Sequence, residues 1–165
     1  MELDSYNTKQ VNIQLLVDAS AKKSKLLSNL IEITQQQEEL LEPELFEEDD
    51  FLQMVDRKEE LLKRLEELDR GFDQTFERVG EELLGNKYRY EAEIRALQEY
   101  ITVISDRSVK LQAMEHRNRV KLEALLTRKR MEIKKSLISS RTAASYYRTM
   151  ANQNEAQSYF YDKKN

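Results

Sequence analysis

Three glycines and one proline in 165 residues leave this chain few ways to turn. Glycine and proline supply most tight turns, and strand-rich folds need many of them. Gly71, Gly80, Gly85 and Pro43 are the whole set, so long helices with few breaks are what remains. A content of 39% hydrophobic and 35% charged residues gives a seam of core and a wet surface, as narrow helices require. The fold class read from the sequence is all-α: an elongated antiparallel three-helix bundle or coiled coil. Its third helix is long and carries an overhanging C-terminal arm.

The first helix is expected over about residues 7–41. Asn7 with Gln10 has the spacing of a capping box, and Leu16, Ala19, Leu26, Leu27, Leu30, Ile33, Leu40 and Leu41 recur at helical intervals. Pro43 disfavours the α conformation of the residue before it, which stops the helix near Glu42. The second helix is expected over 50–84. Asp50 with Gln53 repeats the capping pattern, and the seam runs through Leu52, Val55, Leu62, Leu65, Phe72, Phe76, Val79 and Leu83. Gly71 falls within the pattern, whereas Gly80 and then Gly85-Asn86 are expected to close the helix in a left-handed conformation.

The third helix, 87–139, has the cleanest heptad: Tyr90, Ile94, Leu97, Ile101, Ile104 and Leu111. Continued, the same frame lands on Glu115 and Asn118, then on Leu122 and Leu125, so the seam weakens beyond Leu111. Helices of about 35 residues are roughly 50 Å long and can cover the third helix only to about residue 125. The chain therefore divides into a bundle, 1–139, and an aromatic amphipathic arm, 140–165.

Charge is unevenly placed. Residues 1–100 hold 13 Lys/Arg against 25 Asp/Glu, and residues 101–165 hold 14 against 6. The up-down-up register lays the acidic connector (Glu42, Glu44, Glu47, Glu48, Asp49, Asp50) beside the basic stretch Arg117 to Lys135, an internal charge match. Lysines and arginines on one helix can also track phosphates, but an isoelectric point of about 5.3 and the facing carboxylates argue against nucleic acid.

Chemistry-bearing groups are sparse. The chain has no cysteine and one histidine, His116, in the charged run Glu115-His116-Arg117. No histidine pair, calcium-loop spacing or glycine-rich phosphate loop accompanies it. The reading is of a protein that is not an enzyme and takes no cofactor or metal. No apolar run is long enough to span a membrane, and the acidic Met1-Glu2-Leu3-Asp4 is unlike a secretory leader. In the last twenty residues, Tyr146, Tyr147, Met150, Tyr159, Phe160 and Tyr161 form a concentration that needs cover, from the bundle or from a partner.

The run Val55-Asp56-Arg57-Lys58-Glu59-Glu60-Leu61-Leu62, continued by Leu65, Leu68-Asp69 and Phe72, resembles the FlgN family of flagellar export chaperones. Its FliT-type relatives are less similar. That family tends to place a lysine before a leucine-rich stretch there, and the close at Tyr161-Asp162-Lys163-Lys164 is similar to tails in the family. The resemblance spans most of the chain as an architecture. It implies a cytoplasmic bacterial chaperone that holds secreted axial proteins, the hook–filament junction subunits, and hands them to the export apparatus. It further implies client binding by the C-terminal helix, here roughly Leu137 to Tyr161. On this reading Leu137, Ile138, Tyr146, Tyr147 and Met150 meet an apolar face of a client helix, with Arg141 and Arg148 flanking them. Tyr159, Phe160 and Tyr161 form a second contact or cover the bundle itself. Two other readings stand beside it: a homo-oligomeric scaffold that self-associates through an exposed seam beyond Leu111, and a nucleic-acid binder using Arg117 to Lys135.

Overall fold

A computed structural model of the chain describes residues 2–129, and these form three helices with no strand among them. α1 spans Glu2–Leu40, α2 Glu48–Gly85 and α3 Glu91–Lys129. At 38 or 39 residues each, the helices are about 57–59 Å long.

Contacts between the helices fix their directions. Side chains of α1 meet α3 at a nearly constant separation of 81 to 84 positions, from Ser24–Arg107 through Thr34–Glu115 to Glu38–Lys121, so these two helices run parallel. Partners on α2 descend as α1 ascends, from Lys9–Glu82 to Lys23–Asp69 to Gln37–Lys58, so α2 is antiparallel to both. The backbone of α1 lies close to each neighbour, while α2 and α3 meet chiefly through long side chains.

The helix ends differ from the sequence reading. α1 already runs from Glu2, and Asn7 lies inside it; the Thr8 hydroxyl donates to Asp4 O at 2.9 Å, one turn back within the helix. α2 begins at Glu48, so Asp50 and Gln53 are also internal. Its N-cap, Glu47, is extended and makes no side-chain cap bond; Glu48, Asp49 and Asp50 in the first turn favour the positive end of the helix dipole instead. At the other end no left-handed residue is used. Asn86 has φ −128°, and both its backbone N–H and its Nδ2 donate to Glu82 O at 3.1 Å. Gly80 does not stop the helix. It is buried, with the Phe76 ring 3.1–3.3 Å from where a Cβ would stand, so its lack of a side chain makes room for that ring. The turn through residues 86–90 is closed by Arg89 N and Tyr90 N donating to Asn86 O, which delays α3 to Glu91.

The seam residues divide into three apolar compartments. Nearest the α2–α3 turn, Ile13 and Leu16 pack with Val79, Leu83, Tyr90 and Leu97. The middle one joins Leu27, Leu30, Leu62, Leu65, Ile104 and Leu111. At the connector end, Leu41, Phe46, Phe51 and Leu125 pack together, with Val55, Leu122 and Leu126 against them; the two phenylalanine rings are 5.8 Å apart and tilted. Phe46 thus caps the core as its place in the connector suggests, but its neighbour Leu45 is 57% exposed.

Candidate functional site

The ten residues expected to meet a client (Leu137, Ile138, Arg141, Tyr146, Tyr147, Arg148, Met150, Tyr159, Phe160 and Tyr161) lie outside the described residues, as do Arg130, Lys134 and Lys135 of the basic stretch. Within the described part of that stretch, the register is as expected but the contacts are not. Arg117 and Lys121 pair with Glu38 of α1, at 3.9 and 3.1 Å, and Arg119 pairs with Glu123 on its own helix. What the connector brings to α3 is apolar: Phe46 and Phe51 against Leu122 and Leu125. His116 is exposed.

Glu115 and Asn118 differ most from the sequence reading. The seam beyond Leu111 turns polar but does not face solvent: Met114, Glu115, Asn118 and Leu125 are all buried, at 4–5% exposure. Each helix contributes polar side chains to one layer. α2 supplies Lys58, whose Nζ donates to Gln37 Oε1 of α1 at 2.6 Å and to the Glu115 carboxylate of α3. Thr34 Oγ1 lies 2.7 Å from Leu30 O and 3.0 Å from Glu115 Oε1, so its single proton serves two acceptors. Asn118 Nδ2 donates to Thr34 O at 3.0 Å, which fixes the amide's orientation. That leaves Asn118 Oδ1 buried without a hydrogen-bond partner among the described residues. Burial holds the Lys58 ammonium below its ordinary range, against the opposing pull of Glu115.

A second polar layer lies between the middle and turn-end compartments. Lys23 Nζ donates to Asp69 Oδ1 at 2.6 Å, and Arg107 Nη1 donates to both the carbonyl and the hydroxyl of Ser24, at 2.6 and 2.7 Å. Burial is the first cause that lowers Lys23 and raises Asp69, the latter helped by the nearby charges of Asp73 and Glu66 and opposed by Lys23. At the turn itself Glu82 gathers Lys9, Arg89 and the Tyr90 hydroxyl within 3.2–3.8 Å. Burial and then Glu82 push the Tyr90 phenol up.

A signal for the Lys58–Glu115 layer is present in the sequence. Lys58 falls on the α2 seam between Val55 and Leu62, Thr34 and Gln37 fill the α1 gap between Ile33 and Leu41, and Glu115 and Asn118 fill the α3 gap. The gaps in three seams coincide once the helices are set in register.

A hydroxyl beside a carboxylate and a lysine has the residue types of a catalytic group. Thr34, however, is 0% exposed, and Lys58 and Glu115 are 2% and 5% exposed, with no path for a substrate. The layer is a packing element. Among the described residues no three or more His, Asp or Glu side chains converge as a metal site requires, and no helix is long and apolar enough to cross a membrane. Compared with family models, curated proteins and solved structures, the chain matches none.

Proposed function

We propose that the chain is a client-binding helical chaperone of the flagellar-export type, which its second-helix run resembles. In this reading it works in the cytoplasm, the bundle is a rigid base, and the segment Leu137 to Tyr161 carries the client. The observation behind this is how the bundle uses its own seam. Leu111, Met114 and Leu125 are turned inward and buried, and Phe46 and Phe51 close the last apolar compartment around Leu125. The apolar and aromatic residues from Leu137 onward come in sequence after these buried seam residues, and Tyr and Met are residue types favoured at protein interfaces. The same burial bears on the scaffold reading, because self-association through the seam beyond Leu111 first requires the bundle to open. The nucleic-acid reading loses ground as well, since Arg117, Lys121 and Arg119 already have carboxylate partners.

The test is calorimetric titration of purified hook–filament junction subunits into the full chain and into a Leu137→Ser/Tyr146→Ala/Tyr147→Ala variant. Binding by the full chain and at least about tenfold weaker binding by the variant, with unchanged helix content, is expected for loss of anchor side chains. No binding by the full chain overturns the client assignment. Equal binding by both moves the site into the bundle.

A further inference from the structure

The polar layer of Lys58 and Glu115 lies between two apolar compartments of different kinds. The middle one draws two buried leucines or isoleucines from each of three helices. The connector-end one is largely local: Leu41, Phe46 and Phe51 belong to a single hairpin of α1, connector and α2, and only Leu122, Leu125 and Leu126 reach it from α3. Ile33 and Met114 are buried beside the layer. We infer that this layer divides the bundle into two units that open separately, so that the last turns of α3 lift from the α1–α2 hairpin while the rest of the bundle stays folded.

Three features carry the inference. Apolar contact makes neighbouring layers melt together, whereas a buried ion pair recovers in water much of the solvation it lost on burial and adds little net attraction. Opening can therefore reach the layer at the cost of the end compartment alone and stops there, because the next step exposes the middle compartment. Connectivity allows it: at this end α1 and α2 are joined by the connector, while α3 is joined directly to neither. Outside the apolar patch the lifting stretch is held by the half-exposed pairs of Arg117 and Lys121 with Glu38, which water screens, and by the buried Asn118–Thr34 hydrogen bond, both of whose partners regain water on opening. The movement would uncover Phe46 and Phe51 on the hairpin and Leu122 and Leu125 on α3. It is a device built into the described bundle and does not depend on what the chain binds.

Native-state hydrogen exchange of the full chain, in urea below the unfolding transition, tests this. Amides from His116 to Leu126 should share one opening, at least about tenfold more frequent than that of Leu62, Leu65, Ile104 and Leu111, as for a separately unfolding unit. In Leu125→Ala the shared opening should accelerate while the middle amides keep their rates. In Lys58→Met/Glu115→Leu, where the seam becomes continuous, the two sets should converge. A smooth gradient toward the end of α3, which is ordinary fraying, would overturn the inference. So would equal acceleration everywhere in Leu125→Ala, or a gap that persists in the double variant. Should the double variant not fold, the wild-type pattern and Leu125→Ala decide.

Discussion

Replacing Lys58 by methionine isolates the energetics of the buried layer. Methionine keeps much of the length of the lysine stem but leaves the Glu115 carboxylate, 6% exposed, without its cation. Removing one partner of a buried pair costs about 3–5 kcal/mol, because the remaining charge stays in a dry site. For a chain of this size that is a melting temperature lower by roughly 6–20 °C. Adding Glu115→Leu removes the stranded charge. Thr34 then keeps its bond to Leu30 O at 2.7 Å, and the main loss is the donor to Gln37 Oε1, about 1–3 kcal/mol for a buried acceptor left unmade. Replacing a buried pair by apolar side chains returns about 1–4 kcal/mol, so the double variant should lie within about 2 kcal/mol of the wild type on balance. Urea unfolding followed by circular dichroism reads this as a midpoint shift at constant slope. A single variant that costs less than about 1 kcal/mol, or a double variant as unstable as the single, would refute the reasoning.

Three further outcomes are expected. Gly71→Ala should stabilise α2 by about 0.8–1 kcal/mol, since nothing lies within 4 Å of the added Cβ; Gly80→Ala should gain less or destabilise, its Cβ standing 3.1 Å from Phe76, and thermal melts of the two variants compare them directly. Because Asp69 has its pKa raised above 3.8 in the fold, its contribution to stability is fully present below 3.8 and is lost as pH rises through the folded value. The wild type should accordingly gain stability relative to Asp69→Asn as pH falls from neutral toward 3.8, and a relative loss in urea midpoints would contradict the assignment. Tyr90→Phe removes the hydroxyl that donates to Glu82 Oε1 at 3.2 Å but leaves the ring, so it should cost about 1–2 kcal/mol in urea unfolding without lowering helix content.

The all-helical class was legible from Gly and Pro scarcity, and the apolar spacing marked most of the core. Leu16, Leu27, Leu65, Val79, Leu97 and Leu111, all on the expected seams, are at most 2% exposed. Ile13 and Phe51, fully or nearly buried, fall inside the expected helices 7–41 and 50–84 but outside the apolar seams read along them. Asn7 and Asp50 are good cap residues by type, but a cap preference of about 1 kcal/mol does not halt a helix whose preceding residues can also be helical. The polar layers were misread for another reason. Lys58 and Glu115 look like surface residues one helix at a time, and only the pairing of α2 with α3 shows that each neutralises the other. That information is long-range, 57 positions apart, and no local pattern contains it. Within the described residues the internal charge match has the expected register but a different acceptor, because Glu38 rather than the connector receives Arg117 and Lys121.

The parallel pairing of α1 with α3 has a consequence for how the chain is made. Contacts of α1 with α2 close over 21 to 46 positions near the connector, so the hairpin can zip outward as soon as α2 emerges. The hydrogen bonds between α1 and α3 wait for a partner 81 to 84 positions later. At about 5–20 residues per second, the 40 positions from Gly85 to Leu125 take roughly 2–8 s to synthesise. For that interval the nascent hairpin shows water the face that α3 will cover. Lys58, whose carboxylate partner Glu115 arrives only with α3, interrupts that face with charge, so it is never one long apolar strip. The Lys58 cation buried in the finished bundle thus acts first as a solubilising group on a half-made one, where an uninterrupted leucine seam would invite aggregation.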